Sequence, residues 1–185
     1  MSPKPLLVVL GATDNQGGSV IAHFLSLSPS PYALRAVTRG TSSAKALSLT
    51  SQGGEVVAGN FDDPQSLDMA FTGASIIFNV TDFLQSMANP SLRGRAAVSG
   101  LRPGFYIRDY EAQHNRNIID AAAKVTTLER FIYSSLPNMN KLSGGKQRTG
   151  SISIIGCSFA GHESHAAHRN GRDGPSNWRT RNPFA

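Results

Sequence analysis

Hydrophobic and polar positions alternate in blocks along most of the chain. An apolar run at Leu6–Leu10 stops at Gly11. A polar turn over 12–16 leads to Gly17 and Gly18, and residues 19–25 follow with a helix-like pattern. Apolar residues then dominate 33–39, 55–59, 74–80 and 129–134, each a strand-length block bounded by turn residues. The block at 74–80 suits a parallel strand covered on both faces. Ala44–Ser51 and Pro64–Phe71 read as helices. Ser42 and Ser43 offer capping hydroxyls to the first, and Asp62 or Asp63 caps the second, with Pro64 in its first turn. Residues 109–124 form the longest helical pattern, with Tyr110, His114, Ile118, Ala121 and Ala122 recurring at helical spacing.

Strands and helices in alternation predict an α/β fold, a doubly wound parallel sheet of Rossmann type in the order 3-2-1-4-5. A ligand is expected at the carboxyl ends of strands 1 and 4, where the winding reverses. Residues 82–108 interrupt the alternation with Pro90, Gly94, Gly100, Pro103 and Gly104, and carry Arg93, Arg95, Arg102 and Arg108. They read as a solvated surface loop. The functional alternative is a mobile cover over a cofactor, or an arginine contact to a partner.

Beyond residue 146 the pattern stops and aliphatic residues become sparse. The expected organisation is a nucleotide-binding domain over 1–146, its sheet incomplete, followed by a basic, low-complexity, disordered tail over 147–185. The 185 residues suffice for one domain with a real core, but not for a nucleotide domain plus a large substrate domain. The net charge of +6 is unevenly spread. Residues 1–140 hold 11 Lys/Arg against 10 Asp/Glu, and residues 141–185 hold 7 against 2. The basic character belongs to the tail, so nucleic acid is not an expected partner of the folded part. Cys157 is the single cysteine, which excludes an internal disulfide framework. No apolar run reaches the roughly 18 residues of a membrane span, and the N-terminus has no secretory pattern. A cytoplasmic protein is expected, with the nucleus as a second compartment and no membrane association.

The block Leu6–Leu10, the glycine turn and the helix after it form the pieces of a dinucleotide-binding βα unit. Glycines allow close backbone approach, and a helix N-terminus favours a pyrophosphate. The related spacing Gly-x-x-Gly-x-x-Gly would place glycine at 14, where Asp14 stands, a carboxylate that repels a pyrophosphate unless it points away. Arg39 lies 22 positions after Gly17, at the end of strand 2. An acidic residue there suits the ribose hydroxyls of NAD, whereas arginine suits the 2′-phosphate of NADP. Ser42 and Ser43 would add hydroxyl donors and Lys45 a further charge; the plain alternative is a solvated arginine. After strand 3, Phe61 is placed to pack on an adenine ring and Asp62 to accept its amino group, or Asp62 and Asp63 only cap the next helix. Residues 79–83 should face the nicotinamide ribose, and Ser134 and Ser135 the reaction centre. None of the four tyrosines has a lysine four positions later, so the phenol–lysine proton relay of many reductases is missing. Cys157, His162, His165 and His168 do not match a zinc-motif spacing, and no metal is expected.

Taken together, these stretches resemble the NmrA-like family, atypical relatives of the short-chain dehydrogenase/reductases. The resemblance rests on Gly11-Ala12-Thr13, Gln16-Gly17-Gly18-Ser19-Val20, Val37-Thr38-Arg39, Asp62-Asp63-Pro64, Val80-Thr81-Asp82-Phe83, Asn117-Ile118-Ile119-Asp120-Ala121-Ala122 and Arg130-Phe131-Ile132-Tyr133-Ser134-Ser135-Leu136. It continues through Lys141-Leu142-Ser143-Gly144-Gly145-Lys146 and covers about residues 5–146. It implies NADP(H) binding, with NAD second, and a redox-sensing or transcription-regulating role with a protein partner, or else an NADPH-dependent reductase. By position it implies cofactor contacts from Gly11, Thr13, Asn15, Gln16, Gly17, Arg39, Asn60, Phe61, Thr81 and Asp82, and sets Lys141 near the nicotinamide. Members carry glycine where Asp14 stands, and continue after the Gly-Gly-Lys segment into a smaller C-terminal domain not recognisable here. The switch after Lys146 reads as a truncated or frame-altered gene product, and a product without stable function is the third expectation.

Overall fold

The computed structural model describes residues 3–134 and 144–146. Five strands, β1 (Leu6–Leu10), β2 (Ala33–Thr38), β3 (Glu55–Ala58), β4 (Ile76–Val80) and β5 (Arg130–Ser134), form one sheet. Its order is β3-β2-β1-β4-β5 and every pairing is parallel, as the alternation predicts. The helices are α1 (Asn15–Ser26), α2 (Ala44–Ser51), α3 (Pro64–Phe71), α4 (Phe83–Ala88), α5 (Pro90–Val98) and α6 (Pro103–Ala123).

Side chains alternate across each strand, so β1 feeds two cores. Leu7 and Val9 pack with Leu34, Ala36 and Ile76 beneath Ile21 of α1 and Leu49 of α2. Val8 and Leu10 pack with Val37, Ile77 and Phe131 beneath Leu67 and Phe71 of α3 and Ile118 and Ala121 of α6. These two layers hold the carboxyl ends of β1 and β4 side by side, which is where the turns bearing the candidate residues emerge.

Residues 82–108 are not the solvated loop expected from their prolines and glycines. The Asp82 carboxylate caps α4 by accepting from the Gln85 N–H at 2.9 Å, and Asn89 caps α5 by accepting from the Ser91 and Leu92 N–H groups. Pro90 and Pro103 start helices rather than break them, since a first-turn proline loses no intrahelical bond. Leu92 and Ala96 are buried, and α4 and α5 both pack on α6. The long helix accordingly begins at Pro103, not at 109.

A second correction concerns α1, which begins at Asn15 rather than 19 and takes both glycines into its first turn. A Cβ on Gly17 would stand 2.3 Å from the Gly11 carbonyl oxygen and 2.6 Å from that of Leu10. Only glycine lets the helix start this close to the end of β1. Gly11 itself has φ +60, a left-handed conformation that glycine adopts without strain.

Candidate functional site

A cleft of about 690 Å³ opens at the carboxyl ends of the strands. Of the residues read from sequence, it brings together Gly11, Arg39, Asn60, Phe61, Asp62, Thr81 and Asp82. Thr13, Asn15, Gln16 and Gly17 form the turn and the first turn of α1 beside it, and do not themselves border the cleft. Lys141 and Ser135 lie outside the described residues, as do Cys157 and the histidines at 162, 165 and 168.

Asp14 sits at the N-cap of α1 with φ −95, so its backbone does not require glycine. Its carboxylate caps no N–H and borders the cleft. Lys45, read as a charge for the 2′-phosphate, instead donates to the Thr13 carbonyl at 2.9 Å and brings an ammonium to the same turn. Ser43 caps α2 through the Ala46 N–H. The Gln16 side chain meets Ser134 Oγ at 3.1 Å, tying the start of α1 to the end of β5.

The loop after β3 is fastened to α6. Tyr110 Oη donates to Asp62 Oδ2 at 2.9 Å, and His114 Nε2 lies 2.9 Å from Asp62 Oδ1. Asn117 Nδ2 donates to the Phe61 carbonyl at 2.8 Å, and Asn60 Oδ1 accepts from the Asp62 N–H. The Tyr110 and His114 rings stand 4.1 Å apart, and Phe61 meets His114 edge-on. Asp62 is thus no helix cap; Asp63 takes that task by accepting from the Gln65 N–H. Burial pushes the Asp62 carboxyl up, but hydrogen bonds from His114 and Tyr110 and the charges of His114 and Arg95 outweigh it and hold the group below its ordinary value. Burial, with the hydrogen bond to Asp62 and its charge, drives the Tyr110 phenol up to about 12.

A further polar chain crosses from β4 to α4. Asn79, expected to face a nicotinamide ribose, is fully buried and donates to Asn115 Oδ1 at 3.1 Å. Asn115 donates to the Glu111 carbonyl, and Ser86 Oγ donates to Glu111 Oε1 at 2.9 Å. Among the described residues, Glu111 Oε2 and Thr81 Oγ1 are buried without a hydrogen-bond partner, and both residues border the cleft.

Tyr110, Glu111, His114 and Ser86 are among the cleft residues that the sequence did not assign to it, and Arg95 was placed there only by the alternative reading of 82–108 as a cover. The available signal was the polar stripe Tyr110, His114, Asn117 at i, i+4 and i+7 on a helix.

The fold class this geometry defines is a doubly wound α/β nucleotide-type domain, with its cleft at the switch point between β1 and β4. A model of the NmrA-like family matches residues 3–149, and the chain belongs to that NAD(P)-binding family. It is 34% identical over 142 residues to the NmrA-like family domain-containing oxidoreductase FrzB of Cladobotryum sp, a match covering 76% of this chain and 37% of that protein. A second relative, the NmrA-like family domain-containing oxidoreductase cpsB of Aspergillus campestris, is 29% identical over 143 residues, covering 77% and 37%. The chain therefore spans little over a third of the length of these relatives. In fold it is similar to the solved NmrA, a negative transcriptional regulator in complex with NADP (TM-score 0.52, 22% identity, 76% of this chain and 36% of that one). The Citrobacter sp. triphenylmethane reductase gives a TM-score of 0.50 at 24% identity, covering 71% and 37%. No helix among the described residues is long and apolar enough to cross a membrane, and no group of three or more His, Cys, Asp or Glu there suits a metal ion.

Proposed function

We propose that this domain binds NADP(H) in preference to NAD(H), in the cleft at the ends of β1 and β4, and acts as a cofactor-sensing regulatory domain with a protein partner. The carrying observation is Arg39. It follows β2 at the edge of the cleft, and its guanidinium makes no ion pair or hydrogen bond among the described residues. An unpaired arginine beside a glycine turn suits a phosphate monoester on the adenosine ribose. The residues fit the cofactor in two further respects. Gly17 lets the α1 N-terminus approach the strand end, where it presents free N–H groups, and Phe61 offers a ring at the end of β3. When bound, the cofactor would supply a hydride-exchanging nicotinamide; Gly11, Thr13, Asn15, Gln16 and Gly17 would hold its pyrophosphate, and Arg39 its 2′-phosphate.

The sensing role is favoured by the missing Tyr-x-x-x-Lys relay. The solved NmrA, a transcriptional regulator that holds NADP, supports it by analogy of fold. The fungal relatives, which are named oxidoreductases, favour a second reading, an NADPH-dependent reductase. Calorimetric titration decides the cofactor. Arg39→Ala should weaken NADP(H) by about 1.5–3 kcal/mol, the range for a hydrogen bond to a charged group, and leave NAD(H) nearly unchanged; equal loss for both removes the argument. NADPH oxidation with a panel of carbonyl substrates would establish the reductase reading instead.

A further inference from the structure

Arg39 is not the one unpaired cation in the cleft. Arg95, on α5, borders it too, and its guanidinium makes no hydrogen bond or ion pair among the described residues. The two arginines come from opposite ends of the domain's sequence logic: one from a strand end, the other from a helix of the segment that reads as a loop. Resting on the NADP(H) reading above, we infer that Arg95 is a second 2′-phosphate-binding residue, which closes on the same monoester as Arg39.

Three observations carry this. First, both charges act on one side chain: Arg39 and Arg95 each favour ionisation of the Tyr110 phenol, and Arg95 also acts on Asp62. Both arginines also line the one cleft, together with Tyr110 and Asp62. Second, the Asp62 carboxylate of the cleft is already committed. Asp62 gives one oxygen to Tyr110 and the other to His114, each at 2.9 Å. Asp14, Asp82 and Glu111 also border the cleft, and none forms an ion pair with either arginine. Third, Arg95 is held by a folded element. Asn89 and Pro90 start α5, and Leu92 and Ala96 bury one side of it, leaving Arg95 exposed on another. Two forked cations on separate elements, facing one space and lacking counter-ions, match a dianionic monoester better than a single hydroxyl or amide. The pyrophosphate would take its donors from the start of α1 instead.

The test is calorimetry on the full chain with 2′,5′-ADP and 5′-AMP, which carry the adenosine halves of NADP and NAD without nicotinamide. For the wild type, 2′,5′-ADP should bind more tightly. Arg95→Ala should weaken 2′,5′-ADP about tenfold, the scale of one charged hydrogen bond, and 5′-AMP less than twofold. Arg95→Lys should keep part of the preference. Arg39→Ala/Arg95→Ala together should erase it, with a combined loss different from the product of the single losses, because both act on one group. Equal losses for the two ligands in Arg95→Ala, or no loss in either, overturn this inference while Arg39→Ala still reports on the cofactor reading. A wild type without preference for 2′,5′-ADP overturns the NADP reading itself. Arg95 is exposed, so a changed melting temperature in Arg95→Ala is not expected, and Arg95→Lys guards the comparison if one occurs.

Discussion

Asp14 shows how one side chain sets two quantities against each other. Its backbone, at φ −95, tolerates any residue, so no conformational demand keeps glycine there. Its carboxylate makes no cap to α1 and borders the cleft, so a phosphate brought to that turn meets a like charge. The ammonium of Lys45, held on the Thr13 carbonyl, offsets part of that repulsion. Asp14→Gly should therefore tighten NADP(H) by about 0.5–1 kcal/mol, the worth of a solvent-screened charge pair. The same change should lower folding stability slightly, since glycine adds about 0.5–1 kcal/mol of backbone entropy cost. Titration calorimetry and denaturant unfolding, run on the same variant, check the two opposite signs; tighter binding without Lys45 (in Asp14→Gly/Lys45→Ala) would show that the aspartate, not the lysine, sets the effect.

At the scale of elements, α6 is the joint between fold and site. Its apolar stripe, Ile118, Ala121 and Ala122, lies in the core, while Tyr110, His114 and Asn117 grip the loop after β3. The grip has a pH signature. Tyr110 holds its proton to about 12 in the fold and to about 10 when unfolded. Between those values the native state binds the extra proton, so stability falls as pH rises from about 10 to 12. Asp62 has the opposite sense: its lowered value gives stability above the ordinary carboxyl range, lost as pH falls through the folded value. Phenolate absorbance should show a late-titrating step that loses one tyrosine in Tyr110→Phe and shifts towards 10 for that tyrosine in Asp62→Asn. A late step that survives Tyr110→Phe undiminished assigns it elsewhere. This joint was hard to read from sequence because its partners are 48 and 52 residues apart. A polar stripe on a helix has no local sign of what it will meet. Helices α2 and α3 were legible to the residue because Ser43, and Asp63 with Pro64, mark their starts locally. Helices α4 and α5 were not, because Pro90 and the glycines of that segment read as breakers, α4 has no buried residue and α5 buries only Leu92 and Ala96. The strand-end residues Gly11, Arg39, Thr81 and Asp82 were legible for a different reason: parallel strands leave whatever follows them at one edge of the sheet.

For the whole molecule, the question is whether these parts fold as one unit that feels its ligand. The two cores are continuous through β1, whose residues Val8, Val9 and Leu10 are fully buried. The sheet's β5 side is less well covered. Ile132 pairs in register with Phe78 yet is 45% exposed, and among the described residues β5 is an edge strand. Such an edge costs solubility and favours association when it opens. A ligand that bridges the ends of β1, β2 and β4 stabilises the native state by mass action, about 2.7 kcal/mol at a hundred times its dissociation constant. For a domain of this size that raises the melting temperature by on the order of 5–15 °C. A thermal melt of the full chain should show a single cooperative transition, raised by NADPH and less by NADH. Loss of the difference in Arg39→Ala would place the effect at the 2′-phosphate. A transition that ignores both nucleotides would leave a folded domain without the cofactor, and no transition at all would mean that the two cores do not hold as one cooperative unit.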